Sequence, residues 1–280
     1  MRLAHLTDPH LTPLPTGWPG GWPSKRWLSW LSWQRRRRHL HRRERLDALV
    51  ETVRHQNPDA WAVTGDLCQT GTADEIDVAT AWLQPLAAAE RIIVTPGNHD
   101  VFGPGSRARI DADWAKWLHA PEDRVAVRRF GPATLIAVDS AIVTPVASAR
   151  GELGPTGRAR LARALHDACG TFRVVLIHHP PVPGLCKRRK ALADDAAVAD
   201  LLRREGAGLV LHGHLHHDHR HDLDGPDGAA LPVFCTPSAS APDAAARLFD
   251  IEPADGGFQV RTRLVRPDGA SGEENWISPG

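Results

Sequence analysis

Short apolar runs that end in turn-forming residues alternate with segments of helical periodicity along most of this chain. The runs are four to seven residues long and rich in Val, Ile and Leu, which is typical of buried strands. They cover Arg2–Thr7, Ala60–Thr64, Arg91–Thr95, Ala133–Asp139, Arg173–His178, Gly208–Leu211 and Leu231–Cys235. The helical segments cover Glu44–His55, Ala73–Ala89, Arg107–His119, Gly157–Ala168 and Ala191–Glu205. This alternation predicts an α/β fold in which helices cover a sheet.

The C-terminal part of the chain departs from the alternation. The runs Arg247–Ile251 and Gly257–Val265 have no helix between them, so they predict an antiparallel hairpin. We expect one α/β domain over residues 1–265 and a flexible tail over 266–280, a stretch that contains Gly and Pro. A chain of 280 residues can bury a full core without covalent cross-links.

Composition argues against several classes of protein. The four cysteines form no CxxC pair, which disfavours a disulfide scaffold and a zinc ribbon and favours reduced thiols. No apolar run approaches about 18 residues, the length that indicates a membrane-spanning helix. Because the first ten residues already fit a strand and a motif, we do not expect a cleavable signal peptide. These observations together predict a cytoplasmic protein.

Residues 13–43 do not fit the alternation and are predicted to form an insertion or flap. The segment reads PLPTGWPGGWP, then WLSWLSW, then QRRRRHLHRR, and five of the ten tryptophans lie between Trp18 and Trp33. Residues 25–45 carry nine of the 34 Lys and Arg residues of the chain, but only one of its 33 acidic residues, Glu44. A short basic block on an acidic body favours a local anionic partner and makes nucleic acid an unlikely one.

Polar side chains concentrate where the predicted strands end. The motifs at these ends are Asp8-Pro9-His10, Gly65-Asp66, Gly97-Asn98-His99-Asp100, His178-His179-Pro180-Pro181 and Gly213-His214-Leu215-His216. Ligands bind at the carboxyl ends of the strands in open α/β sheets, so we expect these side chains to meet at one edge. Asp, Asn and His together suit a divalent ion such as Mn, Fe or Zn. Seven such ligands that share one carboxylate would hold two ions about 3.5–4 Å apart.

This ordered set of motifs resembles the calcineurin-like metallophosphoesterase family, and within it the branch that contains bacterial cyclic-nucleotide phosphodiesterases. The resemblance covers residues 1–265 apart from the insertion. It implies a four-layer αββα sandwich, in which two mixed sheets are flanked by helices, with a centre of two divalent metal ions. In such a centre, metal-activated hydroxide would attack a phosphodiester or pyrophosphate substrate.

The resemblance also implies a role for each residue of the motifs. The metal ligands would be Asp8, His10 and His216 for the first ion, Asn98, His178 and His214 for the second, and Asp66 as the bridge. The first histidine of the HHPP motif is the family's ligand, so His178 is preferred to His179. His99 would donate a proton to the leaving group, and Asp100 would orient His99.

Other histidines lie close to these motifs without matching them. His212, His217, His219 and His221 are predicted to be strand-surface or rim residues, although a histidine cluster can recruit an extra metal ion. The triplet His39-Leu40-His41 repeats the HLH sequence but follows no strand, so it is not expected to belong to a metal site.

The insertion leaves several roles open. Trp27, Trp30 and Leu31 share one helical face and basic residues follow, which is typical of a helix in an anionic membrane interface. The segment could instead lie over the metal site, with tryptophans on an acyl chain and arginines on a pyrophosphate. It could also be a packed flap or an oligomer contact, for example in a homodimer. The candidate flap residues are Trp27, Trp30, Trp33, Arg35, Arg36, Arg37 and Arg38.

Three functional hypotheses follow from these residues and from the resemblance. The first is a phosphodiesterase that acts on a nucleotide-type substrate. The second is a hydrolase of a nucleotide- or phosphate-linked lipid, of the UDP-diacylglucosamine pyrophosphate type, acting as a peripheral protein at the inner membrane surface. The third is a scaffold that retains the fold without catalysis, which the complete set of ligand residues disfavours.

Overall fold

The computed structural model describes residues 1–11, 14, 25–118, 124–269 and 275–277 of the chain. The strands are β1 Arg2–Leu6, β2 Ala60–Val63, β3 Ile92–Val94, β4 Val125–Phe130, β5 Ala133–Val138, β6 Phe172–Ile177, β7 Leu209–His212, β8 His219–Asp224, β9 Ala230–Cys235, β10 Ala246–Ala254, β11 Gly257–Val265 and β12 Asn275–Ile277. The α-helices are α1 Lys25–Ser32, α2 Arg38–Leu40, α3 Arg43–Arg54, α4 Ala73–Leu83, α5 Pro104–Asp113, α6 Ala115–Leu118, α7 Gly154–Asp167 and α8 Asp195–Glu205. The strands form two six-stranded sheets, in the orders β12-β11-β10-β1-β2-β3 and β4-β5-β6-β7-β9-β8.

Three apolar clusters separate the layers of the fold. The central cluster lies between the sheets, because it contains Leu3 and Phe249 of the first sheet and Leu176 and Phe234 of the second. Another cluster packs α3, α4 and α5 against the first sheet, and a third packs α7 and α8 against the second. The predicted α/β sandwich of two mixed sheets flanked by helices is confirmed.

Parallel pairing brings the carboxyl ends of the central strands together. In the first sheet β1, β2 and β3 run parallel, and in the second β5, β6, β7 and β9 do so. The five polar motifs follow β1, β2, β3, β6 and β7. The carboxyl ends of the strands form one edge of each sheet, and these two edges meet at a hydrogen bond. The ring of His178, after β6, lies 2.7 Å from the carbonyl of Thr64, after β2.

The three strands that the sequence analysis does not predict are all edge strands, namely β4, β8 and β12. β4 reads VAVRRF and β8 reads HRHDLD. An edge strand tolerates charged residues, and these interrupt the apolar run that would reveal it in the sequence. β12 lies within 266–280, the stretch expected to be a flexible tail, and the structure instead pairs Asn275–Ile277 with β11.

The insertion contributes one helix over residues 25–40, which we call the flap helix. It consists of α1, a π-helical turn at Trp33–Arg37, and α2. The Pro- and Gly-rich part of the insertion over residues 15–24, with Trp18 and Trp22, lies outside the described residues. Across the described ranges, no helix combines the length and the apolar character needed to cross a bilayer.

The buried carboxylate of Glu75 organises the loop between β2 and α4. It accepts hydrogen bonds from the backbone N–H groups of Gln69, Thr70 and Thr72, at 3.0–3.2 Å. Thr72 in turn caps α4, because its hydroxyl accepts from the Glu75 N–H at 3.3 Å. A single side chain therefore fixes the loop 69–72, against which the flap helix packs.

Replacing this carboxylate by an amide should loosen the loop. In Glu75→Gln the new NH₂ group would face backbone N–H donors, so we expect the free energy of unfolding to fall by about 2 kcal/mol. Urea denaturation followed by circular dichroism measures the change. Asp74→Asn is the matched control, because Asp74 is exposed on the same turn of α4. Equal stability of the two variants would contradict the role given to Glu75.

Candidate metal centre

Five residues at the meeting edges of the sheets adopt left-handed backbone conformations although none is glycine. They are Asp8 (φ 50°), His10 (φ 39°), Asp66 (φ 55°), His214 (φ 69°) and His216 (φ 58°). Such conformations cost about 1–3 kcal/mol each and persist only where the surrounding structure enforces them. All five are among the predicted metal ligands, so the strain coincides with the candidate site.

The first group of ligand side chains consists of Asp8, His10, Asp66 and His216, whose ligand atoms lie within 4.8 Å of one another. His216 Nε2 is 2.9 Å from Asp8 Oδ1, and His10 Nε2 is 4.0 Å from both Asp8 Oδ1 and Asp66 Oδ2. His10 is fully buried, and its Nε2 has no hydrogen-bond partner among the described residues. A buried polar atom without a partner is unfavourable, and a metal ion would satisfy it.

The second group lies around the other side of Asp66. His178 Nε2 is 3.5 Å from Asp66 Oδ2, 3.3 Å from Asn98 Oδ1 and 3.3 Å from His214 Nδ1. Gly97 permits this packing, because a Cβ atom there would overlap the Asp66 carboxylate. The structure thus brings all seven predicted ligands into one cluster, with Asp66 between the two groups.

Hydrogen bonds on the far side of two rings fix their tautomers. His10 Nδ1 lies 3.1 Å from the carbonyl of Cys68, and His178 Nδ1 lies 2.7 Å from that of Thr64. Because a carbonyl only accepts, each Nδ1 carries a proton when the ring is neutral, and each Nε2 presents its lone pair to the cluster. This arrangement is the one that a metal-binding imidazole requires.

His179 lies near the second group but has both ring nitrogens engaged elsewhere. Its Nδ1 is 2.8 Å from the hydroxyl of Ser140, and its Nε2 is 3.2 Å from the carbonyl of Ala149. These contacts favour His178 over His179 as the ligand from the HHPP motif.

The electrostatics of the cluster favour a bound positive charge. Burial alone would lower the pKa of His178, but the Asp66 carboxylate beside it raises that pKa to about 10. Burial likewise opposes ionisation of Asp66, yet His178 holds the pKa of Asp66 well below its usual range. The carboxylate, amide and imidazole donors around this charge form a set that suits Mn, Fe or Zn.

His99 lies at the mouth of the cluster. Its backbone N–H donates to Asp66 Oδ1 at 2.7 Å, and its ring Nδ1–H donates to the carbonyl of Gln69 at 2.7 Å. The guanidinium of Arg37, from the flap helix, donates to the remaining nitrogen, Nε2, at 3.0 Å. Burial, followed by the charge of Arg37, lowers the pKa of His99 to about 4. The ring is therefore neutral near pH 7 and is held from both sides.

Asp100 does not orient His99, which corrects the role expected from the sequence. Its buried carboxylate accepts from the backbone N–H groups of Asp66, Gly97 and Cys68, each at 2.8 Å. Burial and the nearby Asp66 charge raise the pKa of Asp100 to about 7. Asp100 thus ties the loop after β2 to the loop after β3, while the Gln69 carbonyl orients the His99 ring.

Contacts with two loops hold the flap helix beside the cluster. Arg26 donates to the carbonyls of Thr70 and Gly71 at 3.2 and 3.0 Å. Lys25 Nζ donates to Thr144 Oγ1 at 2.6 Å. The N-terminal end of the flap helix is therefore attached to the rim of the site by its basic residues.

The candidate flap residues point in different directions. Trp33 is buried and stacks on the ring of His41, with centroids 6.4 Å apart, while Arg37 reaches His99. Trp27 and Trp30 are half-buried, and Arg35, Arg36 and Arg38 are exposed. One side of the helix therefore contacts the site, and the other presents arginines to solvent.

His41 is a site residue that the sequence analysis does not predict. Its ring centroid lies 4.5 Å from that of His10, and its ligand atom lies within 4.8 Å of those of His10 and His216. Its Nδ1 is 2.9 Å from the hydroxyl of Ser240. The sequence analysis placed the HLH triplet outside the site because it follows no strand. His41 instead reaches the site from the C-terminal end of the flap helix.

A cavity of about 350 Å³ opens beside Asn98 and His99, under the flap helix. Basic side chains on its wall are Lys25, Arg37, Arg189 and Lys190. Apolar side chains on its wall are Leu28, Phe102 and Val146. Such a mixed lining suits a ligand that joins an anionic group to an apolar or aromatic one.

Comparisons of this chain with a family model and with known proteins agree on one family. The family described as calcineurin-like phosphoesterase matches residues 1–218. A cAMP/cGMP dual specificity phosphodiesterase of Mycobacterium tuberculosis is 27% identical over 180 residues, which cover 62% of this chain and 54% of that protein. A probable cyclic nucleotide phosphodiesterase of Synechococcus is 30% identical over 285 aligned positions, which cover 93% of this chain and 95% of that protein. The chain thus spans about half the length of the first relative and nearly all of the second.

Solved structures share the fold at low sequence identity. A purple acid phosphatase from yellow lupin (Lupinus luteus) superimposes with a TM-score of 0.63 at 12% identity, covering 99% of this chain and 53% of that chain. The sulfate thiohydrolase SoxB of Thermus thermophilus superimposes with a TM-score of 0.55 at 15% identity, covering 95% of this chain and 56% of that chain. At these identities the likeness concerns the fold alone.

Removing the negative charge of Asp66 should remove bound metal while the fold survives. Asp66→Asn keeps the shape of the side chain but takes away the carboxylate that faces both ligand groups, so we expect loss of at least one metal ion per chain. Plasma mass spectrometry of the protein after equilibration with Mn²⁺ measures the stoichiometry. Asp47→Asn, at an exposed position on α3, is the control. An unchanged metal content in Asp66→Asn would exclude Asp66 as the bridge.

Proposed function

Because the chain belongs to the calcineurin-like phosphoesterase family, we propose that it is a two-metal phosphodiesterase that cleaves a P–O bond of a nucleotide-type substrate. Family membership makes the protein a metal-dependent phosphoesterase, and the two metal ions and the diester substrate are the proposed part. The convergence of seven ligand side chains from five strand ends carries this proposal. The names of the two bacterial relatives favour a cyclic nucleotide as the substrate class.

The two metal ions would be held in the two groups of ligands described above. Asp8, His10 and His216 would hold one ion, Asn98, His178 and His214 the other, and Asp66 both. Divalent ions in such a centre, when bound, acidify water and offset the charge of phosphate oxygens. The buried Nε2 of His10, which lacks a partner within the described chain, fits this assignment.

His99 and Arg37 would act on the substrate from the flap side of the centre. The Arg37 guanidinium can move from His99 Nε2 to a phosphate oxygen, for which its paired N–H groups are suited. Once the Arg37 charge has moved away and a phosphate lies beside the ring, His99 Nε2 can take up a proton from solvent. The resulting imidazolium would give that proton to the leaving oxygen. The Gln69 carbonyl keeps the ring in position during this exchange, because it stays bonded to Nδ1.

A diester should be a better substrate than a monoester. One ester group can occupy the cavity beside His99 while the other departs, whereas a monoester leaves the cavity empty. With Mn²⁺ added, we expect bis(p-nitrophenyl) phosphate to be hydrolysed faster than p-nitrophenyl phosphate, with kcat/KM measured for both. Cyclic AMP and cyclic GMP are then tested at the same metal concentration. Absence of metal-dependent turnover of every diester would overturn the phosphodiesterase proposal and favour a scaffold.

Variants of the flap side separate proton transfer from phosphate binding. His99→Ala should keep its metal and lose about 10²–10⁴-fold in kcat, most strongly for alkyl leaving groups. Arg37→Ala should mainly raise KM. His39→Ala and Arg36→Ala are matched controls, because both residues are exposed on the flap helix. Full activity of His99→Ala on an alkyl ester would exclude it as the general acid.

Exposed features of the flap helix support a second candidate, a hydrolase of a phosphate-linked lipid of the UDP-diacylglucosamine pyrophosphate type. Leu28 and Val146 line the cavity yet are 46% and 52% exposed. Arg35, Arg36 and Arg38 are exposed on the same helix. An acyl chain leaving the cavity would meet the two apolar side chains, and an anionic membrane surface would attract the arginines. The protein would then be peripheral at the inner membrane.

Vesicle binding distinguishes the two candidates. Each basic residue near an anionic surface contributes about 1 kcal/mol, so Arg35→Gln, Arg36→Gln and Arg38→Gln together should weaken binding to phosphatidylglycerol vesicles about a hundredfold. Activity on bis(p-nitrophenyl) phosphate should not change. Neutral phosphatidylcholine vesicles are the control. Equal binding of variant and wild type would exclude the membrane role, and light scattering on the same samples would test a homodimer contact instead.

A further inference from the structure

Three adjacent strands of the second sheet bring two histidines and a cysteine into one row. In the register of the sheet, His212 of β7 lies opposite Cys235 of β9, and Cys235 lies opposite His219 of β8. Residues paired in this way project from the same face of a sheet. That face is the helix-covered one, because the residues two or four positions away on the three strands belong to its core. These core residues are Val210, Val233 and Leu223.

The side chains of the row converge above the central strand. The ring centroids of His212 and His219 are 5.4 Å apart although β9 separates their strands. The ligand atoms of His212, His219 and Cys235 all lie within 4.8 Å of one another. His212 is fully buried, and is not the strand-surface or rim residue expected from the sequence.

Several polar atoms of this cluster are buried without a partner. His212 Nδ1 lies 2.9 Å from the carbonyl of Gly213, so it carries the ring proton and leaves the lone pair on Nε2. That Nε2 is buried and makes no hydrogen bond with any residue that the structure describes. The same is true of both ring nitrogens of His219. In the neutral ring of His219 one nitrogen carries the proton and the other offers a lone pair, so each histidine has one buried lone pair that a metal ion would accept.

We propose that His212, His219 and Cys235 form a third metal site, which binds one Zn²⁺ ion. A thiol together with two imidazoles selects a thiophilic ion and disfavours Mn²⁺ and Mg²⁺, which prefer oxygen ligands. In a tetrahedral zinc site, bond lengths of about 2.0–2.3 Å place neighbouring ligand atoms about 3.3–3.6 Å apart. Side-chain movements of about 1 Å would close the observed separations to these values. Binding releases the thiol proton of Cys235 to solvent.

A metal ion in this row would fix the segment that follows β7. His212 immediately precedes Gly213, and His214 and His216 of the binuclear centre come next in the chain. His217 stacks on His219 with centroids 4.8 Å apart, and its Nδ1 lies 2.9 Å from the carbonyl of Leu215. Water would fill the fourth ligand position, because, among the described residues, the group of ligand atoms within 4.8 Å contains only His212, His219 and Cys235.

Cobalt absorption tests this site separately from the binuclear centre. The ligands assigned to that centre include no sulfur, so a thiolate-to-cobalt charge-transfer band in the near ultraviolet reports on a cysteine ligand alone. Metal-free protein titrated with Co²⁺ should develop the band, and added Zn²⁺ should abolish it. The band should persist in Asp66→Asn, so that failure of the proposed phosphodiesterase centre and failure of the third site give different results.

Variants identify the ligands of the band. Cys235→Ser should lack it and hold one metal ion fewer per chain by mass spectrometry, and Cys169→Ser, at an exposed free cysteine, should retain it. His219→Ala should weaken Co²⁺ binding at least about 10–100-fold. Replacing a residue that only hydrogen-bonds a metal ligand already lowers metal affinity by that factor. Because His219 is half-buried, this variant should fold even if changes at buried His212 do not. No band in the wild-type protein, or a band that survives in Cys235→Ser, would overturn the proposal.

Discussion

Two buried carboxylates hold the loops on the functional side of this molecule in place. Both accept hydrogen bonds from backbone N–H groups, and neither is among the proposed metal ligands. Asp100 joins the loops after β2 and β3 through three backbone N–H groups, and Glu75 shapes the loop 69–72 in the same way. A buried charge is tolerated only when such donors surround it, so each carboxylate forces its loop into one conformation. The position of Asp66 between the two groups of side chains, the orientation of His99 and the attachment of the flap helix all depend on these two loops.

Strain and burial at the centre have a common origin. The ligands come from strand ends that must turn sharply and still aim their side chains at one point, which places five of them in left-handed conformations. The apolar clusters on both sides of each sheet keep those turns from relaxing. Without metal, the site contains histidine nitrogens that lack partners in the described structure. Stability is therefore given up locally, where a bound cation would restore it.

The sequence predicted what depends on local order along the chain. The seven proposed ligands follow apolar runs, so the α/β class and the position of these residues at strand ends could be inferred from the residues. The sandwich of two sheets and the role of each ligand came from the family resemblance. The edge strands β4 and β8 were missed because their polar residues mask the strand pattern. Arg37 and His41 reach the site because of the way the flap helix packs against the rest of the fold. The spacing of residues in the sequence does not predict that packing. The role of Asp100 in orienting His99 was implied by the family resemblance, but the Asp100 carboxylate binds backbone N–H groups, and the carbonyl of Gln69 holds the ring instead.

The π-helical turn at Trp33–Arg37 makes one part of the flap helix tolerant of a change in length. An α-helix advances about 100° per residue, and a π turn holds an additional residue within the same turn. Loss of one residue from this turn would therefore restore an ordinary α-helical turn and leave the flanking segments in nearly the same rotational phase. Loss of one residue from α1, which holds no additional residue, would instead rotate every later side chain by about 100°, and Arg37 would leave His99. Natural variation in the length of the flap helix should therefore concentrate at the π-helical turn.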